Sequence, residues 1–348
     1  MLEWNDMGTN ISECHRSVLD NLRPHSNLKS LTINDYGAKS LPDWVGHKSF
    51  SAIVSLHLRN CKHCPNLPPL GQLPSLQDLF VVGFEAVVKV DRSFYGGDSS
   101  TIKPFEALKV LRFERMLNWE EWCSFGAENE GSAFPQLKEL YIDDCPKLMG
   151  GMPVHLPSLT KLEIHECRQL VASLPKTPAM LELKLTQCNE VLLKELPVRL
   201  QALTIKGFAA LESLSEVMVD SNGCLQALEI SKCKKLELPT QLEFRNLERL
   251  QLDGCDSLQS FPLDLFPKLY YVMIARCEKL ESLTASEQHG HDLATLHINI
   301  DNCPNFVSFP KGGICAPDLS PFYVWSCGSL RSLPEKMHIF SGARVAAF

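Results

Sequence analysis

The spacing of aliphatic residues repeats along the whole chain. In residues 247–262, LERLQLDGCDSLQSFP, leucines stand at 247, 250 and 252, a cysteine at 255 and a leucine at 258. The same spacing recurs thirteen times, six times strongly and seven times weakly, with starts at 28, 53, 76, 108, 137, 159, 180, 200, 225, 247, 269, 295 and 319. Self-similarity at a period of about 20–30 residues predicts a solenoid of stacked coils.

Within one repeat, the alternation of aliphatic and polar residues predicts a half-buried strand. Leu250 and Leu252 face inward, and Gln251 faces outward. Gly254 is suited to turn the chain because glycine adopts a positive φ without strain. Cys255 then closes the turn from inside, where its S–H is a weak donor to a carbonyl. A single coil cannot bury its own apolar face, so we expect neighbouring coils to stack on one another.

This spacing resembles that of the leucine-rich repeat, whose corner position accepts Asn or Cys. The resemblance implies an α/β horseshoe solenoid of about 13 repeats, with a parallel β-sheet on the concave side. Frequent prolines predict an irregular convex side, apart from a short helix near Ser17–Leu22. We predict a partial first repeat with that helix at 1–27, a repeat array at 28–330 with longer, insert-bearing repeats at 76–136, and a non-repeat tail at 331–348.

Nine of the fourteen cysteines occupy the corner position of a repeat, which indicates a packing role. We expect them to be buried, reduced thiols in a reducing compartment, with stacked side chains that point into the core rather than at one another. These structural corner cysteines are Cys61, Cys145, Cys167, Cys188, Cys233, Cys255, Cys277, Cys303 and Cys327.

Charge and composition argue against several classes of partner. The formal net charge is −7, which does not favour nucleic acid or an anionic membrane. No apolar run approaches the roughly 18 residues that span a bilayer. The first residues contain neither a basic nor an apolar region of the kind found in a signal peptide. We therefore expect a cytoplasmic protein with ample apolar residues, 45% of the chain, for a core.

Two groups of residues bear on metal binding and catalysis. Cys61 and Cys64 lie near His57 and His63, but no second ligand pair follows at the spacing of a zinc site. His289 and His291 lie in a longer interval between repeats, where exposed loop histidines are the simpler interpretation. We expect neither a metal site nor enzymatic activity.

Outward-facing strand positions offer a candidate binding surface. Aromatic residues and methionine have little structural reason to face solvent from a sheet, and they are typical of protein interfaces. The alternative is that the tail 331–348 covers some of them. The candidate residues on the concave face are Tyr141, Glu163, Lys184, Tyr271, Met273, His297, Asn299, Tyr323 and Trp325.

The insert-bearing repeats contain a second candidate surface. The two longest intervals between repeat starts run from 76 to 108 and from 108 to 137. Their extra residues include Tyr95, Trp119 and Trp122, which we predict to lie in loops on one rim. Two interpretations are open for these aromatic residues. They form an exposed contact surface, or the two tryptophans cover the open side of a long repeat.

Specific phrases are similar to the leucine-rich-repeat region of plant intracellular immune receptors of the coiled-coil, nucleotide-binding, leucine-rich-repeat type. They are LKSLTINDYGAKSLPDWVG at 28–46, VSLHLRNCKHCPNLPPLGQLPSLQDLFVVGF at 54–84, FYG at 94–96, WEEW at 119–122 and NCPNFVSFPKGG at 302–313. The resemblance implies a region that senses a pathogen effector or a guarded host protein and folds back on the nucleotide-binding module. ADP or ATP would belong to that module, because this chain contains no Gly-x-x-x-x-Gly-Lys-[Ser/Thr] loop. We expect the chain to be a fragment, a truncated gene product or a partial gene model, and the alternative is a free-standing leucine-rich-repeat binding protein.

Three alternatives predict other features. An extracellular receptor ectodomain or a glycosidase-inhibitor-like module predicts a signal peptide, many glycosylation sequons and paired capping cysteines, which we do not find. A ubiquitin-ligase substrate adaptor needs a helical segment before the repeats, and the stretch before position 28 leaves no room for one. An enzyme is the most distant alternative.

Overall fold

A computed structural model describes residues 1–4, 12–97, 103–125, 133–214, 223–238, 243–285, 296–311, 314 and 322–335. The chain forms two compact units. The first unit contains Met1–Met180 and Gln187–Leu192, and the second contains Leu181–Thr186 and Leu193–Phe348.

The first unit is built on a parallel sheet with the strand order β1-β2-β3-β4-β6-β8-β9. Its register places aliphatic residues side by side, with Leu79 opposite Leu111 and Leu111 opposite Leu140. A second, two-stranded ladder pairs β5 with β7. Helix α1 spans Ser12–Asn21, and short 3-10 helices span Leu70–Gln72 and Arg92–Tyr95. The strands are β1 (Leu2–Glu3), β2 (Ser30–Asn34), β3 (Ser55–Arg59), β4 (Asp78–Val82), β5 (Lys89–Val90), β6 (Val110–Glu114), β7 (Glu121–Trp122), β8 (Glu139–Asp143) and β9 (Lys161–His165).

The second unit is also built on a parallel sheet, with the strand order β10-β11-β12-β13-β15-β17-β18. A two-stranded ladder pairs β14 with β16. A 3-10 helix spans Leu263–Leu265, and another, Glu190–Leu193, begins in the residues of the first unit. The strands are β10 (Glu182–Thr186), β11 (Ala202–Lys206), β12 (Ala227–Ser231), β13 (Arg249–Asp253), β14 (Ser260–Pro262), β15 (Tyr271–Ala275), β16 (Ser282–Thr284), β17 (His297–Asp301) and β18 (Phe322–Trp325).

The predicted parallel-sheet solenoid is confirmed. Each of the thirteen repeat starts is followed within two or three residues by a strand. The solenoid has about 11 turns, slightly fewer than the 13 repeats predicted. Helix α1 begins five residues before the predicted Ser17, and it is the one α-helix in the described part of the chain. The division into first repeat, array and tail stays a prediction, and 336–348 lie outside the described residues.

A residue with positive φ follows each of the thirteen main strands and turns the chain toward the core. In most of these turns its backbone N–H donates to the last carbonyl of the next strand in the sheet, as from Lys232 N to Asp253 O at 2.7 Å. These bonds offset a left-handed conformation that costs roughly 1–2 kcal/mol for a residue other than glycine. The residues are Asp35, Asn60, Gly83, Arg115, Asp144, Glu166, Gln187, Gly207, Lys232, Gly254, Arg276, Asn302 and Ser326.

Gly83 is required at its turn for a further reason. The Nη2 of Arg115 donates to Oδ1 of Asn60 at 2.9 Å, and Nδ2 of Asn60 donates to Oδ1 of Asp35 at 2.9 Å. Gly83 belongs to the coil between Asn60 and Arg115. A Cβ on Gly83 would lie 2.7 Å from Oδ1 of Asn60, so only glycine leaves the path of this bond open.

The corner cysteines lie directly after these turns, as predicted. Seven of the nine are buried, whereas Cys188 and Cys327 are partly exposed. Their thiols donate to carbonyls, as from Cys277 to Ala275 O at 3.4 Å. The neighbouring Cys255 thiol, together with burial, raises the pKa of Cys277 to about 12, so its side chain stays a thiol.

Candidate functional site

The predicted rim surface is wrong, because its aromatic residues lie in the core. Trp119 and Trp122 are 0% exposed, and Tyr95 is 3% exposed. The Nε1 of Trp122 donates to the Tyr95 hydroxyl at 2.8 Å, and this hydroxyl donates to Cys123 O at 3.0 Å. Burial raises the pKa of Tyr95, so its phenol stays neutral. The long repeats enclose more space than the short ones, and these rings fill it, which is the second of the two interpretations.

The outward side of the second unit brings six predicted residues together. They lie on neighbouring strands β15, β17 and β18, where the register pairs Tyr271 with His297, Met273 with Asn299, and Asn299 with Tyr323. Trp325 is 41% exposed, and the other five are partly buried. We call this surface the unit 2 patch, and its members are Tyr271, Met273, His297, Asn299, Tyr323 and Trp325.

Contacts inside the unit 2 patch hold its side chains in place. The hydroxyl of Tyr271 donates to Sδ of Met273 at 3.9 Å, and the guanidinium of Arg249 lies 5.4 Å from the Tyr271 ring centre. The Oδ1 of Asn299 is buried and has no hydrogen-bond partner in the described part of the chain. The patch therefore presents aromatic and methionine side chains from three neighbouring strands, a combination suited to binding a protein surface.

A row of rings and charges crosses the outward side of the first unit at the middle position of β3, β4, β6 and β8. The His57 and Phe80 rings are 4.4 Å apart between centroids. The guanidinium of Arg112 lies 6.0 Å from the Phe80 ring centre and 4.3 Å from that of Tyr141. These distances are typical of stacking and cation–π contacts. We call His57, Phe80, Arg112 and Tyr141 the unit 1 row.

Charged neighbours flank the unit 1 row at its Tyr141 end. The Tyr141 hydroxyl donates to Glu139 at 2.6 Å, and burial together with Glu139 raises the pKa of Tyr141. The Nζ of Lys161 lies 3.1 Å from Glu163. Burial, followed by the charge of Arg59, lowers the pKa of His57 at the other end. The row and its neighbours are thus mixed in charge.

The sequence interpretation located only part of these surfaces. Tyr141 belongs to the unit 1 row and Glu163 follows it on β9, whereas Lys184 stands exposed on β10 of the second unit. His57, Phe80 and Arg112 were missed as surface residues. They occupy the middle outward position of their strands, as Tyr141 does on β8. Examining the residue at that position in the earlier repeats would have identified them.

The two cysteines considered for metal binding face the core, whereas His57 and His63 do not. Cys61 and Cys64 are both buried, and the Cys64 thiol donates to Ala38 O at 3.1 Å. Burial raises the pKa of Cys64 to about 12, so it remains a thiol. Within the described ranges, no group of three His, Cys, Asp or Glu residues could hold a metal ion. His289 and His291 lie outside the described residues. No helix that the structure describes is long and apolar enough to cross a membrane.

Comparison with known proteins connects this architecture to a family. The family model described as R13L1/DRL21 LRRs matches residues 1–84. The disease resistance RPP13-like protein 1 of Arabidopsis thaliana is 35% identical over 268 residues, covering 76% of this chain and 24% of that protein. The disease resistance protein RGA2 of Solanum bulbocastanum is 36% identical over 212 residues, covering 57% of this chain and 21% of that protein. The resemblance to the leucine-rich-repeat region of plant disease resistance proteins is confirmed.

This leucine-rich-repeat region spans about a quarter of the length of the curated relatives it matches. The solved structure of a plant peptide hormone receptor, RGFR1 in complex with RGF2, aligns over 92% of this chain and 75% of that chain, with 13% identity and a TM-score of 0.17. At that TM-score the alignment supports no statement about the leucine-rich-repeat region. The sequence relatives therefore carry the connection to plant defence.

Proposed function

We propose that the chain is the recognition and autoinhibitory region of a cytoplasmic plant immune receptor. It acts by binding proteins and not as an enzyme. Its partners are a pathogen effector or a guarded host protein, and the nucleotide-binding module of the same receptor. ADP or ATP binds to that module and not to the residues of this chain. The disease resistance proteins that resemble this chain support the proposal.

The observation that carries the recognition role is the unit 2 patch. The inward side of the same strands is already filled by aliphatic residues, as Val272, Ile274 and Ile300 are all buried. Tyr271 and Trp325 are therefore not needed to complete the core. Large, rigid side chains in such positions contribute most of the binding energy at protein interfaces.

The autoinhibitory role rests on the resemblance to the receptor group. A repeat region that contacts the nucleotide-binding module holds it in one state, and a ligand releases that state only if it binds the released form more tightly. Competition for one outward surface satisfies this condition, because an effector on the surface and the module on the surface exclude each other.

Alanine variants of the unit 2 patch test the proposal. We combine Tyr271→Ala, Met273→Ala and Trp325→Ala, and we compare this triple variant with Thr204→Ala, Glu229→Ala and Gln251→Ala, which change outward residues of the same unit beyond the patch. Binding to a nucleotide-binding module from a resistance protein of this group, and to candidate effectors, is measured by biolayer interferometry. The patch variant should weaken binding at least roughly tenfold, and the control should stay within about twofold. Equal loss in both variants would contradict the assignment of the patch.

A further inference from the structure

Three side chains outside the two outward surfaces form a cluster on the ladder of β5 and β7. Lys89 lies opposite Glu121 in the register of this ladder. The Nζ of Lys89 is 2.9 Å from Oε2 of Glu121, and the Cys123 thiol donates to Oε1 of the same carboxylate at 3.6 Å. One carboxylate thus holds an amine and a thiol next to each other.

The backbone of Cys123 is fixed from two directions. Its N–H donates to Val90 O at 2.8 Å, on the strand that carries Lys89. Its carbonyl accepts from the buried Tyr95 hydroxyl at 3.0 Å, and Trp122 in turn donates to that hydroxyl. The aromatic core of the long repeats therefore keeps the thiol beside Lys89.

The cluster is open to small solutes in solvent, unlike the buried corner cysteines. The side chains of Lys89 and Glu121 are 50% and 57% exposed, and Cys123 is partly exposed. A peroxide can therefore reach this sulfur. The nearest corner cysteine along the chain, Cys145, is buried and points into the core. Lys89 and Cys123 share the Glu121 carboxylate, so an oxidised Cys123 has the Lys89 amine beside it.

We propose that oxidation of Cys123 by a peroxide leads to a covalent sulfur–nitrogen cross-link between Cys123 and Lys89. In the first step, two electrons pass from sulfur to peroxide, the O–O bond breaks, and the thiol becomes a sulfenic acid with release of one water. In the second step, the Lys89 ammonium gives one proton to solvent, and the resulting neutral amine attacks this sulfur, so that the S–N bond forms and the S–O bond breaks. Glu121 accepts the amine proton and passes it to the departing hydroxide, which leaves as a second water.

The cross-link would change the first unit mechanically and goes beyond the proposed binding role. It joins β5 to the residue that follows β7. The covalent loop that it closes runs from residue 89 to residue 123 and contains the buried aromatic residues Tyr95, Trp119 and Trp122. Closing a loop restricts the unfolded chain, so the cross-linked form should resist unfolding more than the reduced form. The site is therefore an oxidative modification site for which hydrogen peroxide is a sufficient reagent.

Mass spectrometry of the whole chain after treatment with dilute hydrogen peroxide tests the proposal. We expect a loss of about 2 Da per chain, a tryptic peptide pair linked through Lys89 and Cys123, and recovery of the starting mass with a phosphine reductant. Lys89→Arg keeps the positive charge but removes the amine nucleophile, and Cys123→Ser removes the sulfur, so neither variant should give the linked pair. Cys14→Ser is the matched control, because Cys14 is an exposed cysteine on α1, and it should leave the yield unchanged.

Two results would overturn the cross-link. One is a sulfenic acid on Cys123 that dimedone traps to the same extent in the unmodified chain and in Lys89→Arg, with no linked peptide pair in either. The other is a linked pair that persists in Lys89→Arg. Circular dichroism spectra of the variants establish that each is folded, which these exposed positions should allow. A failure of this test leaves the unit 2 patch untouched, because the two sites share no residue.

Discussion

The long repeats and the short repeats of this chain fill their cores differently. The five longest coils begin at 28, 76, 108, 200 and 269, and the first four place Tyr36, Phe84, Met116 and Phe208 at the corner after the turn, where all four are buried. The seven shorter coils, in which the next repeat starts after fewer residues, all place a cysteine at this corner. Cys277, in the long coil that begins at 269, is the exception. The volume of the corner residue thus follows the length of the coil, because a close-packed interior tolerates neither a void nor an excess of atoms.

The same kinds of residue also take opposite sides in the two units. In the first unit, Trp119 and Trp122 pack against Phe113 with ring centroids 4.9 Å and 5.2 Å apart, inside the coil. In the second unit, Tyr323 and Trp325 stand on the outward side of β18. Residue type alone therefore does not separate core from surface here, and position relative to the strand and the coil length does.

The largest expected effect tests the inward and outward alternation on which the comparison depends. Leu250→Asp places a charge in the core of the second unit, where Leu250 is fully buried. We expect the free energy of unfolding to fall by more than about 4 kcal/mol, or the unit not to fold. Gln251→Asp, one residue away on the outward side, should change it by less than about 0.5 kcal/mol. Urea denaturation followed by circular dichroism measures both, and equal effects would refute the strand assignment.

The next effect separates the buried tryptophans from the exposed one. Trp122→Ala removes a buried ring and the donor to the Tyr95 hydroxyl, so we expect a loss of about 3–5 kcal/mol of unfolding free energy. Trp325→Ala removes a ring that is 41% exposed and should cost less than about 1 kcal/mol. Denaturation curves of the two variants make the comparison. A cost at Trp325 as large as that at Trp122 would mean that Trp325 belongs to the core.

Exchange of corner residues tests the link between coil length and corner volume. Cys255→Phe introduces a large ring into a short coil, and overpacking of this kind costs about 1–3 kcal/mol. Cys255→Ala removes only the sulfur and is the matched control, with an expected cost of about 1–2 kcal/mol. Phe84→Cys, in the long coil, should instead leave a cavity. If phenylalanine at 255 stabilised the second unit in denaturation experiments, coil length would not determine the corner residue.

The smallest effect is a pH dependence confined to the first unit. Burial and Arg59 lower the pKa of His57 below its usual 6.5 in the folded chain, so the unfolded chain binds a proton more readily. Stability should therefore fall as the pH drops through about 6.5, and level off below the folded pKa. His57→Gln should remove this pH-dependent fall in the free energy of unfolding. His63→Gln changes a histidine at an exposed position and serves as the control, which should keep the fall. Urea midpoints measured on both sides of this pH compare the variants, and an unchanged pH profile in His57→Gln would contradict the shift.

Much of the fold could be predicted because one short rule governs every coil. The alternation around Leu250 and Leu252, the turn at Gly254 and the corner at Cys255 reappear in the structure as expected. Hydrophobic burial and the strand period of two residues act locally, so a stretch of about ten residues contains the information. The candidate site was harder to predict. The outward positions of the unit 2 patch, in three neighbouring repeats, followed from the strand alternation, and the role of the patch in binding stays a prediction. The unit 1 row was missed at His57, Phe80 and Arg112.

The amino-acid sequence by itself determined the coil, the inward and outward positions of each strand, the turn and the corner. Only the tertiary structure decided which side chains from different coils meet. Trp122 reaches Tyr95, Arg115 reaches Asn60 past Gly83, and Lys89 reaches Glu121. The physical reason is that such contacts depend on how inserted residues pack and on which positions stacking brings side by side. No pattern within a single coil contains that information.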